Sequence, residues 1–158
     1  MAERLSTGHV DAVNQTGSVK AVYANFVIHI FGGGSQPATA DAAETGTLIM
    51  ILTKDGGEFT SGSATNGLNF GTSTGGVLAK SASEEWKGTG LEAAGTGMVA
   101  THFRAYANTV VTGISTTAVR FDGQVGNSSS YEIHMTNTTI VEGGVAVVNS
   151  FNFTSPKQ

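Results

Sequence analysis

The chain has 158 residues, enough for one domain, with a net charge of −4 and only 13% Asp, Glu, Lys and Arg. Ordinary soluble domains have about 25% charged residues, so we expect either a neutral surface that other subunits cover or a monomer covered by Ser and Thr. The net negative charge argues against nucleic-acid binding, and the lack of cysteine excludes disulfides and thiolate metal sites. The sequence contains no run of about 18 apolar residues, so no membrane span is predicted.

The N-terminal residues predict short helices rather than strands. Ser6 can cap a first helix that ends at Gly17, and Ser18 can cap a second one. Both helices are too short to be stable alone, so they must dock on a larger body, either this chain or a neighbouring subunit. The chain therefore divides into an N-terminal arm or pair of short helices at 1–25 and a single β domain at 26–158.

From residue 26 onward the pattern predicts β-strands. Two nearly continuous apolar runs, 26–31 (FVIHIF) and 47–53 (TLIMILT), favour strands that are buried on both faces. Four later segments alternate apolar and polar residues, which is typical of half-buried antiparallel strands. These segments are 98–106, 117–125, 131–136 and 145–154. Weaker strands are expected at 68–70, 77–80 and 84–87.

Charged residues occupy the polar side of two alternating segments. Arg104 alternates with Phe103, and Arg120 and Asp122 alternate with Phe121. About eight short strands with turns between them and almost no helix predict an all-β fold, an antiparallel β-sandwich or jelly-roll.

Motifs that would carry catalysis or cofactor binding lack the context that their chemistry needs. Residues 88–93 and 95–100 both match G-x-G-x-x-A, but neither stands between a buried strand and a helix as dinucleotide binding requires. His102 and His134 could meet across neighbouring strands and hold a metal with Glu132, although solvent-facing or interface histidines are much commoner. We therefore expect a protein that is not an enzyme, with no catalytic residues, no cofactor and no metal.

Three aromatic residues are candidate interface residues. Trp86 is the only tryptophan, and it is either a core residue or an interface anchor of the kind that dominates binding hot spots. Tyr106 and Tyr131 lie in or beside alternating strands. All three are also candidates for stacking against a sugar ring.

Six segments, which together run along most of the chain, carry a resemblance to a known group of proteins. The first combines a strand, a Gly-x-Gln-Pro-Ala-x-Ala-Asp loop and a Thr-Gly-Thr-Leu strand. The six are 28–48 (IHIFGGGSQPATADAAETGTL), 66–70 (NGLNF), 86–90 (WKGTG), 120–126 (RFDGQVG), 137–141 (NTTIV) and 150–154 (SFNFT). In the same order they are similar to small proteins encoded among the virion structural genes of tailed bacteriophages.

The resemblance implies a component of the virus particle and supplies no catalytic residues. We expect a capsid decoration (cement) protein, which stabilises the head by bridging capsid subunits after folding in the bacterial host cytoplasm. Its partners would be the major capsid protein or other virion proteins, and it would form a homo-oligomer, a trimer or a dimer. A neck, collar or tail accessory role stays open, and a host-surface carbohydrate-binding module is the alternative of another class.

Overall fold

Most of the regular structure in the computed structural model, which describes residues 3–154, is β-strand. Two helices, α1 (Thr7–Thr16) and α2 (Val19–Val22), lie near the N-terminus, and one 3-10 turn spans Glu92–Ala94. The strands are β1 (Arg4–Leu5), β2 (Val27–Gly32), β3 (Thr47–Lys54), β4 (Val77–Ala79), β5 (Trp86–Thr89), β6 (Met98–Tyr106), β7 (Arg120–Gly126), β8 (Ile133–His134), β9 (Thr139–Ile140), β10 (Val145–Val147) and β11 (Ser150–Thr154).

The two N-terminal helices form where the capping residues predict them. The Ser6 hydroxyl accepts a hydrogen bond from the backbone N–H of His9 at 3.0 Å, and Gly17 ends α1 in the left-handed conformation with φ 75°. The same Ser6 hydroxyl donates to the carbonyl of Ala118 at 2.8 Å and accepts from the N–H of Arg120 at 3.2 Å. The N-terminal segment therefore docks on its own chain, beside β7.

The strands form one curled sheet in the order β10-β5-β3-β2-β6-β7-β8-β11-β4, with β1 also paired to β7 and β9 to β6. One continuous stretch, 145–154, belongs to both halves of this path, because it contains the first strand, β10, and the last strand but one, β11. The N–H of Val148 bonds to Trp86 on the β5 side, and the next N–H, that of Asn149, bonds to His134 on the β8 side.

The expected antiparallel sandwich or jelly-roll is confirmed only as far as the β class. Neighbouring strands are antiparallel except β7 and β8, which are parallel, so the sheet is mixed. A sandwich or jelly-roll is not confirmed, because the strands follow one another in a single curled sheet.

An aromatic core fills the inner side of the curl. Phe26 stacks on Phe70 at 4.7 Å between ring centroids, and its edge meets Trp86 at 5.3 Å. Trp86 also contacts Phe151 at 5.4 Å, which brings β5 and β11 together. Large aromatic side chains bury 150–250 Å² each, so this cluster is a main source of the hydrophobic stabilisation.

Several strand boundaries differ from the predicted ones. The prediction for 98–106 is confirmed by β6, but the predicted strand 117–125 begins only at Arg120. The segment 131–136 keeps strand geometry only at β8, because Tyr131 belongs to a turn that bonds back to Ser128. The segment 145–154 divides into β10 and β11 where it changes partner from β5 to β8.

Candidate functional site

The outer side of the central strands is covered by two loops instead of water. Arg104 is 1% exposed, and Arg120 and Asp122 are 0% exposed, although the alternating pattern placed them on the polar faces of half-buried strands. That prediction is wrong at these three positions. The covering loops are residues 35–46 and 107–117, and the buried charges hold both of them.

Arg104 and Asp122 form a two-pronged ion pair across β6 and β7. They lie directly opposite each other in the strand register, with Nε to Oδ1 at 2.6 Å and Nη2 to Oδ2 at 2.8 Å. The remaining Nη1 of Arg104 donates to the carbonyl of Ala42 at 2.9 Å and to Oε1 of Glu44 at 3.0 Å. Burial disfavours the charged guanidinium, but the two carboxylates raise the pKa of Arg104 above its ordinary value.

Arg120 fastens both loops to the sheet through backbone carbonyls. Its Nε donates to Ala40 at 2.7 Å, in the first loop, while Nη1 and Nη2 donate to Val111 and Gly113 at 2.7 Å each, in the second. A planar guanidinium offers five donors in a fixed geometry, so one side chain can satisfy carbonyls from two segments.

Glu44 completes the network from the first loop. Its Oε1 accepts from the Tyr106 hydroxyl at 2.6 Å and from Arg104, and its Oε2 accepts from the N–H of Gly113 at 2.8 Å. Burial by itself would raise the pKa of Glu44, but these hydrogen bonds and the Arg104 charge hold it below the ordinary value. Burial and the bond to Glu44 raise the pKa of Tyr106.

We call this network the clasp and define it as Glu44, Arg104, Tyr106, Arg120 and Asp122. It contains two positive and two negative groups, and they are bonded to one another and to backbone carbonyls. The bonds to Ala40, Ala42, Val111 and Gly113 hold the two loops on the sheet.

The histidine pair considered as a metal site is not brought together. β7 lies between β6, which carries His102, and β8, which carries His134. His102 is buried, stacks on Phe31 at 5.3 Å and contacts the Thr101 hydroxyl at 2.9 Å. Burial lowers its pKa. Among residues 3–154 no group of three or more His, Cys, Asp and Glu side chains could hold a metal ion.

The glycines of the first G-x-G-x-x-A match serve strand packing. Gly88 lies in β5 and Gly90 directly follows it. A Cβ atom at Gly88 would collide with the carbonyl oxygen of Ile51, and one at Gly90 would collide with that of Val141. These positions need glycine because neighbouring backbones approach closely.

The three candidate interface aromatics have different environments. Trp86 is 0% exposed and donates its Nε1 hydrogen to Oε2 of Glu84 at 3.1 Å, so it is a core residue of the folded chain. Tyr106 is buried in the clasp. Only Tyr131 reaches the surface, where it is half-buried and lines two grooves.

One of these grooves is polar but uncharged. It has a volume of about 410 Å³ and lies between the loop at 34–36, the start of β6 and the end of β7. Its side chains include Gln36, Gln124, Asn127 and Tyr131, with no Asp, Glu, Lys or Arg among the lining residues. We call it the amide groove; its amides and hydroxyls can exchange hydrogen bonds with a neutral, hydroxyl-rich ligand.

The surface is poorer in charge than the composition alone indicates. Five charged residues are buried, namely Glu84, Arg104, Arg120, Asp122 and Glu132. Among residues 3–154 only nine are exposed, namely Arg4, Asp11, Lys20, Lys54, Asp55, Glu58, Glu85, Glu92 and Glu142. The composition gives the number of charged residues, but it does not show which of them the fold buries.

Exposed valines gather at one end of the sheet. Val145 and Val147 in β10 are 66% and 39% exposed. Val141 contacts the backbone at Gly144, and Val99 pairs with Thr139, two residues before Val141 on the same face. We call Val99, Val141, Val145 and Val147 the valine edge. It combines unprotected apolar side chains with a terminal strand of the sheet.

No protein-family model, curated protein or solved structure matches the chain. The resemblance to phage proteins therefore stays a prediction from the sequence. None of the helices in residues 3–154 is long and apolar enough to cross a membrane.

Proposed function

We propose that this chain is a structural component of a tailed-bacteriophage particle, and that it decorates the outside of the head by bridging capsid subunits. The observation that carries the proposal is its charge-poor surface, on which only nine charged side chains are exposed among residues 3–154. The virion-like segments and the valine edge support it. The clasp supports it as a scaffold, because it ties two loops to the sheet.

A neutral surface suits permanent burial against other proteins. Charged residues are depleted at the centre of interfaces because each buried charge must be paired or it costs several kcal/mol. A decoration protein also need not bind tightly at each contact. Many copies on a lattice, each touching several subunits, hold firmly because the second contact forms at a high effective concentration.

Copy number tests the placement in the particle. Quantitative mass spectrometry of purified particles of the phage that encodes the chain should find hundreds of copies, and cryo-electron microscopy should show it on the shell. Six or twelve copies would instead support a neck, collar or tail accessory role. Absence from the particle would overturn the proposed function in all its forms.

Loss of the gene supplies an independent test of head stabilisation. Particles assembled without the protein should release their DNA at a lower temperature than complete particles, and added purified protein should restore the difference. Unchanged release temperature would contradict the stabilising role even if the protein is present in the particle.

The amide groove favours a second candidate function, a host-surface carbohydrate-binding module. Tyr131 lines an uncharged groove with Gln36, Gln124 and Asn127, which is suitable for a neutral glycan. Glycan-array binding that is lost in Tyr131→Ala and in Asn127→Ala, but kept in Ile114→Ala, would support it. Ile114 is a suitable control because it is 84% exposed and lies outside the groove. A blank array with the folded wild-type chain would count against it.

A further inference from the structure

We propose that β10 is a self-association strand, which pairs antiparallel with β10 of a second copy about a two-fold axis through Ala146. This proposal rests on the proposed function, from which a homo-oligomer is expected, and it names the surface through which two copies would join. Four observations lead to it: the free backbone groups of β10, the exposure of its valines, the absence of protective charge and the symmetry of the strand.

The backbone of β10 has one occupied side and one free side. The register places Ala146 opposite Gly88, and the flanking bonds run from Gly90 N–H to the Gly144 carbonyl and from Val148 N–H to the Trp86 carbonyl. Alternate residues of a strand direct their N–H and C=O groups to opposite sides. The N–H and C=O groups of the two β10 valines therefore point away from β5, and within residues 3–154 they have no partner.

Natural edge strands are usually protected from pairing by short length, charges, proline or bulges. β10 is short, with the three residues Val145-Ala146-Val147, but it has no charge, proline or bulge, and both of its valines are exposed. The exposed side chain of Val141, which lies against Gly144, adds apolar surface beside it. An extended backbone with apolar side chains is the partner that matches both the free hydrogen-bonding groups and this surface.

The strand is complementary to itself. A two-fold axis at Ala146 puts Val145 of each copy opposite Val147 of the other. Each of these two pairs forms two hydrogen bonds, so the four bonds use the N–H and C=O groups of both valines in both copies. The two valine pairs lie on the same face, where β-branched pairs stabilise a sheet. β10 carries no charged side chain, so the paired strands bring no like charges together.

The alternative registers are less favourable. Moving the axis to Val145 would set Val147 opposite Gly143, and moving it to Val147 would set Val145 opposite Asn149. The N–H groups of Gly143 and Asn149 already bond to the carbonyls of Gly90 and His134, so fewer of the free groups would find partners. A hydrogen-bonded antiparallel pair has Cα atoms about 5.5 Å apart, within the range a disulfide can bridge, whereas diagonal neighbours are about 7–8 Å apart. The register can therefore be tested by cross-linking, and the chain has no cysteine of its own.

The test uses purified Val145→Cys and Val147→Cys proteins, alone and mixed, under a mild copper–phenanthroline oxidant. The mixture should give a several-fold excess of disulfide-linked dimer over either variant alone and over Ile114→Cys, which places a thiol at a still more exposed position on the second loop. Dimers formed best by a single variant would contradict the antiparallel register. A yield in the mixture no higher than that of Ile114→Cys would overturn the self-association.

Sedimentation velocity gives a second readout with the chain free of cysteine. The wild type should show a concentration-dependent dimer, which the double variant Val145→Lys/Val147→Lys loses because it places four ammonium groups at the paired edge, while Ile114→Lys keeps it. A wild type that stays monomeric at all concentrations would overturn the proposal. Both experiments use the isolated protein, so their failure is distinguishable from the absence of the chain from phage particles.

Discussion

The Asp122→Asn variant should lose about 3–5 kcal/mol of unfolding free energy, because it leaves two buried guanidinium groups with Glu44 as the one carboxylate of the clasp to balance them. The native clasp balances Arg104 and Arg120 against Glu44 and Asp122, and the variant leaves a surplus positive charge at 0–1% exposure. The substituted amide keeps the size of the side chain but presents an N–H group to a guanidinium that can only donate. Since small domains are stable by only about 5–15 kcal/mol, the loss is a large share of the total.

Urea unfolding followed by the fluorescence of Trp86 measures this effect. The matched control is Glu85→Gln, which breaks the exposed Glu85–Lys87 pair, whose N–O distance is 2.7 Å, and should cost less than about 1 kcal/mol. A double variant, Arg104→Met with Asp122→Leu, should recover part of the loss because it removes the buried charges together. A loss for Asp122→Asn as small as that of the control would refute the inference that the clasp holds the fold.

Three further predictions concern the N-terminus, pH and close packing. In the same urea assay, Ser6→Ala should lower the free energy of unfolding by about 2 kcal/mol or more, because the hydroxyl caps α1 and also bonds to Ala118 and to Arg120 of β7. Ser18→Ala removes only the exposed cap of α2 and should cost about 0.5 kcal/mol. Burial lowers the pKa of His9 from 6.5 to about 4, so the unfolded chain takes up a proton on His9 more readily than the native protein does. The free energy of unfolding should therefore fall by up to about 3 kcal/mol as the pH drops from 6.5 to 4. The variant His9→Gln should show a smaller fall, and an unchanged pH dependence would contradict the role of His9. Gly90→Ala should lower the melting temperature much more than Gly71→Ala. The Cβ added at Gly90 would lie 1.9 Å from the carbonyl oxygen of Val141, whereas the one added at Gly71 would lie 3.2 Å from that of Lys80. Equal shifts in melting temperature, measured by circular dichroism, would contradict the close packing at Gly90.

The sequence was most informative where local chemistry decides the structure. The caps at Ser6 and Gly17 predicted α1, because an oxygen acceptor at one end and a left-handed glycine at the other act within a few residues. The predicted strand 98–106 agrees with β6 at both ends. Strands whose ends depend on distant partners were less predictable, and the change of partner inside 145–154 has no local signal.

The covered outer face was not predictable from alternation alone. The period of two correctly separated Phe103 from Arg104 and Phe121 from Asp122, but it could not show that loops would bury the polar side as well. One signal was present in the sequence, since an arginine and an aspartate occur at alternating positions in strands that can pair. Recognising the ion pair needed the register that sets Arg104 opposite Asp122, and that register is a property of the whole sheet.

The clasp and the neutral surface have a common physical origin. Two loops rich in small and hydroxyl-bearing residues, 35–46 and 107–117, cover the outer side of the central strands. Such loops bury little apolar area, so the hydrophobic effect alone holds them weakly. Arg120 compensates by binding carbonyls of both loops, Arg104 binds the first loop at Ala42, and Glu44 of the first loop binds the second loop at Gly113. The charges that fasten the loops are thereby removed from the surface, which leaves an exterior of amides, hydroxyls and valines that another protein can cover with few charges to desolvate.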